Sequence, residues 1–266
     1  MKQVGLNVAS DPLMSLEYVG IKGGMVILVA DDPGPISSQT EQDTRHFSRF
    51  SKLPCFDPSS AQEAYEMIQE AFEYSEKYGT PVFLRPTTRV CHGYASIMVK
   101  DETEYTHHQP EGFIKDSKRW VIFPRLSFMN HKKIEARNQE LSDIFSSYEK
   151  NTIHPSCDAF KDSKKGIATG GISYTYTMET LKKTGMVKTL KIATPHPFPE
   201  KLAVDFLSGL DEVLCLEELD PVIERELIYI CGKYHLPTRI NGKLSGHTAC
   251  AGENTRDTIT TYINTF

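Results

Sequence analysis

The sequence predicts an α/β protein of two open, mostly parallel-sheet units joined by a helical linker. Three observations lead there. The continuous apolar run Gly24-Met25-Val26-Ile27-Leu28-Val29-Ala30 lies between Gly-Gly and Asp-Asp-Pro. A strand buried on both faces of a parallel sheet reads this way. Strand, helix and strand signals then follow each other between residues 53 and 84, the order of a parallel crossover. The same alternation returns from residue 166 onward.

In the first unit, Leu53-Pro54-Cys55-Phe56 is a short strand candidate. Ser60 opens a helix with Glu63 three positions on, the pattern of a capping box. Ala64, Met67, Ile68, Ala71 and Phe72 recur at helical spacing, and Gly79 closes the element. Pro81-Val82-Phe83-Leu84 is the next strand.

The pattern loosens between residues 91 and 165. Acidic residues, histidines and Pro110 mark an exposed connection over 101–110, and the apolar patch Trp120-Val121-Ile122-Phe123-Pro124 interrupts it. A long helix over 130–150 carries Ile134, Leu141, Ile144, Phe145 and Tyr148 on one face, as a linker packed across a domain surface would.

In the second unit, Gly166-Ile167-Ala168-Thr169-Gly170-Gly171 reads as a strand running into a glycine turn. A helix through Met178 and Leu181 and a strand over 187–193 follow. Pro199 opens a helix, 212–216 is a strand, 221–231 a helix and 237–240 a last strand.

Composition bounds the function. A net charge of −5 argues against a dedicated nucleic-acid or acidic-membrane surface. No apolar run approaches the roughly 20 residues a bilayer span needs. The start lacks the blocks of a signal peptide, so a cytoplasmic location is expected. No two of the six cysteines form a C-x-x-C pair, so neither a zinc knuckle nor a local iron–sulfur site is written here. Cys55, Cys215 and Cys231 sit in apolar stretches and read as reduced structural thiols.

Among polar candidates, His92, His107, His108, His154 and His196 lack the carboxylate spacing of a metal site and read as solvated or structural, so no metal ligands are assigned. Gly170-Gly171 reads as tight strand–helix packing rather than a phosphate turn. Glu217 and Glu218 end a strand and read as an inter-domain or inter-subunit contact. The segment 31–45 leaves the C-terminal end of a strand, where ligands of open α/β sheets collect. Its polarity fits a binding loop and a solvated loop equally well.

Long blocks carry a family resemblance. Met1-Lys2-Gln3-Val4-Gly5-Leu6-Asn7-Val8-Ala9-Ser10-Asp11-Pro12-Leu13, Val29-Ala30-Asp31-Asp32-Pro33-Gly34-Pro35 and Ser37-Ser38-Gln39-Thr40-Glu41-Gln42-Asp43-Thr44-Arg45 stand in the first unit, with Leu84-Arg85-Pro86-Thr87-Thr88-Arg89-Val90. Ile167-Ala168-Thr169-Gly170-Gly171-Ile172-Ser173-Tyr174 and Glu217-Glu218-Leu219-Asp220-Pro221-Val222-Ile223-Glu224 stand in the second. They resemble the large subunit of indolepyruvate ferredoxin oxidoreductase, a thiamine-diphosphate-dependent 2-oxoacid:ferredoxin oxidoreductase. The tail from Gly246 onward matches least.

The resemblance implies three regions. Residues 1–95 would be the C-terminal half of a thiamine pyrimidine-binding domain, 96–160 a linker with a long helix, and 161–266 a transketolase C-terminal-like domain. It further implies oxidative decarboxylation of an aryl pyruvate to an acyl-CoA. The expected cofactors are thiamine diphosphate with Mg²⁺ and [4Fe-4S] clusters whose ligands lie outside this chain. A β subunit, ferredoxin, coenzyme A and the 2-oxoacid are the expected partners. The activating glutamate is expected before Met1 and the diphosphate-binding part beyond Phe266, so the chain is expected to be an inactive interior fragment with an exposed sheet edge. No catalytic residue is assigned within it.

By the same resemblance, Gly5 and Asn7 in a loop over 4–7, with Gln39 and Gln42, would contact the cofactor. The other role open to Asn7 is a helix cap, as it is for Asp11 ahead of Pro12. Arg45 with Asp43 would meet a substrate carboxylate, or the two would pair with each other. Rival readings are an oxidoreductase for pyruvate or 2-oxoglutarate, and a non-catalytic docking protein.

Overall fold

The computed structural model of the chain describes residues 1–105, 109–110 and 112–266. The predicted histidines His107 and His108 lie outside the described residues. The elements of the first unit are α1 (Gln3–Val19), β1 (Val26–Leu28), α2 (Thr44–Ser51), β2 (Cys55–Phe56), α3 (Ala61–Tyr78), β3 (Val82–Leu84) and the short α4 (Thr88–Cys91). The connection carries α5 (Ser117–Trp120) and α6 (Pro124–Phe145). The second unit holds β4 (Thr152–His154), β5 (Lys165–Gly170), α7 (Gly171–Thr184), β6 (Lys188–Ile192) and α8 (Glu200–Leu207). It continues with β7 (Glu212–Leu216), α9 (Val222–Tyr234), β8 (Arg239–Asn241) and α10 (Arg256–Thr265).

The first sheet is parallel with order β1-β3-β2. The run 24–30 was expected to be buried on both faces, but β1 is an edge strand and Leu28 is 48% exposed. Burial on both faces belongs to β3, which has a neighbour on each side. Side chains alternate across this sheet. Cys55 and Phe83 pack with Leu6 and Leu13 of α1 on one face. Phe56, Val82 and Leu84 pack with Met67 and Ala71 of α3 and Leu141 and Phe145 of α6 on the other.

Ser60 caps α3 as its sequence predicts, accepting from the Glu63 N–H at 3.2 Å, and Gly79 closes the helix at φ 60°. The Glu63 carboxylate does not complete the box at Ser60; it accepts from Ser59 N and Oγ, both at 2.6 Å. The linker helix starts at Pro124, six residues before the predicted position, because Pro124 occupies its first turn.

The stretch 4–7 is not a loop. It lies in the first two turns of α1, so Asn7 is no cap, and Pro12 sits inside the helix. Pro12 removes the bond to the Val8 carbonyl, and Val8 is 85% exposed, so water can serve that carbonyl.

The second sheet has order β4-β6-β5-β7-β8, with only β4 antiparallel. β4 falls in the stretch read as linker, and its pairing draws residues 152–154 into this sheet. Ala168, Leu190, Val213 and Cys215 face α8 and α9, while Ile167, Leu214 and Leu216 face α7 and α10. Among the described residues no helix is long and apolar enough to cross a membrane.

Candidate functional site

The C-terminal ends of the two sheets meet. At β2, Cys55 N donates to His196 O at 2.7 Å, and just beyond it Asp57 N donates to Ala193 O at 2.8 Å, joining the chain after β6. Gly171, the first residue of α7 directly after β5, has φ +53° and lies so close to Asp57 that a Cβ there would stand 3.3 Å from Asp57 Oδ1. A Cβ on Gly170 would stand 2.7 Å from Ile192 O. The glycine pair therefore serves close packing, as its sequence predicts.

Two buried arginines fill this junction. Arg85, 2% exposed, donates from Nε to Asp31 Oδ2 at 2.7 Å and from Nη1 to Asp57 Oδ2 at 3.2 Å. Arg45, also 2% exposed, donates from Nε to Asp43 Oδ1 at 2.9 Å and from Nη1 to Glu217 Oε2 at 2.7 Å. Its Nη2 donates to Asp43 Oδ2, Glu218 O and Asp220 O at 2.6, 2.7 and 2.9 Å. All three guanidinium nitrogens are thus occupied inside the protein. The Arg45–Asp43 pair that the sequence allows is made, but it is buried, and neither side chain is open to a substrate carboxylate in this arrangement. Glu217 and Glu218 make the inter-unit contact expected of them.

Burial and charge work against each other here. Burial raises Asp31, Asp57 and Glu218 above the ordinary carboxylate range, although Arg85 pulls on all three. At Asp43 burial also pushes upward, but Arg45 and Arg85 outweigh it and hold the carboxyl well below that range. Burial raises the Cys55 thiol far from a reactive thiolate. The crevice of the second sheet, where an open α/β sheet ordinarily takes a ligand, is therefore closed by side chains of the first unit.

The first unit keeps an open cleft beside this junction, about 390 Å³ in volume. It is lined by Gln3, Leu6 and Asn7 of α1, by Glu41 to Phe47 except Arg45, and by Phe50 and Asp220. The segment 31–45 forms its rim, fixed by Asp32, which accepts from Ser37 N and Ser38 N at 2.7 Å each and from Thr88 Oγ1 at 2.7 Å. Burial opposes the charge on Asp32, yet these donors and Lys2 hold its carboxyl below the usual range. Asn7 Nδ2 donates to Gln42 Oε1 at 2.7 Å, tying the helix to the rim. Gln3 Nε2 donates to Ser38 Oγ at 2.8 Å and Thr40 O at 2.6 Å, while Gln3 Oε1 is buried without a partner.

Of the predicted contacts, Asn7, Gln42 and Asp43 come together at this cleft. Gly5 faces Met1, and Gln39 is exposed on the rim outside the lining. Arg45 lies behind it in the junction. Gln3, Arg85 and Asp57 were missed. The readable signal for Arg85 was a charge directly after the all-apolar strand 82–84. Among the other histidines, burial lowers His154, whose Nε2 meets Tyr174 Oη at 3.0 Å, and lowers His196 to about 3. Among the described residues no group of three His, Cys, Asp or Glu could hold a metal ion.

The cleft suits a flat heterocycle with hydrogen-bonding edges. Its polar lining combines the amides of Gln3, Asn7 and Gln42 with the acidic residues Glu41, Asp43 and Asp220, beside Phe47 and Phe50. It offers no cluster of cations for a diphosphate.

No family model matches the chain. The indolepyruvate oxidoreductase subunit IorA of Methanothermobacter thermautotrophicus is 41% identical over 248 residues, 92% of this chain and 39% of that protein. The IorA subunits of Pyrococcus abyssi and Pyrococcus horikoshii are 39% and 38% identical, each over 91% of this chain and 38% of the protein. The chain belongs to the family of these subunits. It spans about two fifths of the length of the IorA relatives it matches. The IorA-like fold is shared with a 2-oxoglutarate:ferredoxin oxidoreductase from Magnetococcus marinus, at TM-score 0.66 and 14% identity over 99% of this chain and 52% of that one. A split-gene transketolase also aligns, at TM-score 0.54 and 13% identity over 97% of this chain and 72% of that one. These alignments, over 99% and 97% of the IorA-family chain, take in both of its sheets.

Proposed function

We propose that this chain supplies part of the cofactor wall of a thiamine-diphosphate-dependent 2-oxoacid:ferredoxin oxidoreductase acting on indolepyruvate or a related aryl pyruvate. The products are an acyl-CoA and reduced ferredoxin. The observation that carries the reading is the 41% identity with an IorA subunit over 92% of the chain. The reading includes a β subunit, coenzyme A, ferredoxin, iron–sulfur clusters and Mg²⁺ as parts of the whole assembly. Residues 1–95 form half of its pyrimidine-binding domain, 96–160 the linker, whose residues 152–154 add β4 to the second sheet, and 161–266 the transketolase C-terminal-like domain.

Bound thiamine diphosphate supplies the carbanion that attacks the 2-oxo carbon. This chain's residues position and shield. The Asn7–Gln42 amide pair would hold the polar edge of the pyrimidine ring, with Gln3 bracing the rim behind it through Ser38 and Thr40. Phe47 and Phe50 would keep water from its face. Asp32 keeps the rim in one shape by accepting two backbone N–H groups, so the wall is formed before the cofactor arrives. The junction behind it holds the second unit fixed against the first.

The test is ferredoxin reduction by a whole IorA-length subunit that carries these residues, assembled with its β subunit, coenzyme A and thiamine diphosphate. Indolepyruvate is expected to exceed pyruvate and 2-oxoglutarate in kcat/KM by about tenfold or more. A preference for either small 2-oxoacid would replace the substrate. Full assembly without turnover of any 2-oxoacid would favour a docking role. The chain alone is expected to turn over none of them.

A further inference from the structure

We infer that the linker carries a docking surface for an acidic, amphipathic segment of a partner protein, on a face away from the cofactor cleft. Residues 112–137 contain seven Lys and Arg against two Asp and Glu, in a chain whose net charge is −5. The basic charge is therefore concentrated on one segment of an otherwise acidic molecule.

The structure gives that charge a shape. The C-terminal ends of α1 and α3, together with α5 and α6, enclose an open groove of about 780 Å³. Lys77, Lys118, Arg119 and Lys133 line it and outnumber Asp116 and Glu140, the lining carboxylates other than Glu17, and none of the four cations has a carboxylate partner within ion-pair distance among the described residues. Arg119 Nε is buried and without a hydrogen-bond partner, although Nη2 donates to Ile21 O at 2.8 Å. Arg137 is already spent on Glu17 at 2.6 Å.

The groove opens into an apolar hollow of about 480 Å³ that shares Lys118 and Leu126 with it. Val121, Phe123 and Met129 line the hollow and are 55%, 48% and 47% exposed. Phe113 and Phe128 beside it in sequence are 82% and 61% exposed. Apolar exposure of this density, rimmed by cations, marks an interaction site.

Charge and shape choose the occupant. Cations without a carboxylate partner among the described residues, beside exposed apolar side chains, match a segment with carboxylates on one side and aliphatic or aromatic groups on the other. The concave groove takes a protruding segment, whereas a flat lipid surface would meet only the rim. The acidic remainder of the chain repels an acidic partner, so its approach is confined to this face.

Trp120 is the only tryptophan and lies beside the groove, with Arg119 stacked 4.7 Å from its ring centroid. Its fluorescence reports occupancy directly. The probe is a synthetic helical peptide with glutamates on one face and leucines on the other, titrated into the full chain. The expected result is a saturable change in Trp120 emission, weakened about tenfold or more in a Lys118→Glu/Lys133→Glu double variant and by high salt. Both substituted positions are exposed, and circular dichroism of the variant should match the parent chain. The inference is overturned by any of four results. These are no saturable change, equal binding of a lysine–leucine peptide, affinity unaffected by the double charge reversal, or binding of phosphatidylserine vesicles but not of the acidic peptide. Self-association of the chain abolished by the same charge reversal, without peptide binding, would overturn it in favour of a second copy.

Discussion

Arg45 Nη1 lies 2.7 Å from Glu217 Oε2 across the junction of the two units, with both side chains 2% exposed. Glu217 also accepts the N–H groups of Val222, Ile223 and Glu224 at the start of α9. One carboxylate thus anchors an arginine of the first unit and caps a helix of the second. Arg45→Ala would strand the Asp43 carboxylate in a buried site. Breaking a buried pair in this way costs about 3–5 kcal/mol. Arg45→Lys should recover little, because one ammonium cannot reproduce the planar fork that reaches four acceptor groups. Urea denaturation of the two variants checks both statements.

Gly171 is held at φ +53° against Asp57. A side chain there meets left-handed strain of about 1–2 kcal/mol and a carboxylate oxygen at contact distance. Gly171→Ala should lower stability by at least that amount, measured by the same denaturation. A neutral result would mean that the glycine is not under conformational constraint.

Glu218 is raised mainly by burial. A carboxyl whose folded pKa lies above its unfolded value contributes stability that is present below the unfolded value and lost as pH rises through the folded one. Glu218→Gln keeps an oxygen for the Asn254 N–H, which donates to Glu218 Oε1 at 2.9 Å, and removes the ionisation. The variant should match the parent near about pH 4 and exceed it in stability near about pH 8. Asp31 and Asp57 push the parent in the same direction, while Asp43, held low by its arginines, adds stability that is lost on acidification. Comparing variant with parent at each pH isolates the Glu218 share.

Asn7→Ala and Gln42→Ala each remove half of the amide pair at the cleft. In the assembled enzyme, each should raise the thiamine diphosphate concentration for half-maximal activity by about tenfold, the equivalent of one lost hydrogen bond. Gln39→Ala, on the exposed rim, should change it far less.

Much of the fold was legible because local rules decide it. Ser60 and Gly79 bracket α3, and the apolar residues of β3 and β7 lie between turn signals. The start of α1 was not legible. Gly5, Asn7 and Pro12 are poor helix formers, and the packing of Leu6 and Leu13 against the first sheet overrides them. β4 was missed because three half-buried residues carry no periodicity of their own; their partner is β6, far along the chain. At the site, polarity misled. Asp31, Asp32, Asp43 and Arg45 are polar because they pair with one another and with distant residues inside the protein, and composition cannot separate this from solvation.

Hydrogen–deuterium exchange on the assembled enzyme, with and without thiamine diphosphate and Mg²⁺, tests the assignment of the cleft most directly. Added cofactor should slow exchange in the first turns of α1 and across residues 37–44, leaving the surface of the linker unchanged. Cofactor binding that leaves both of those stretches unprotected would contradict the account.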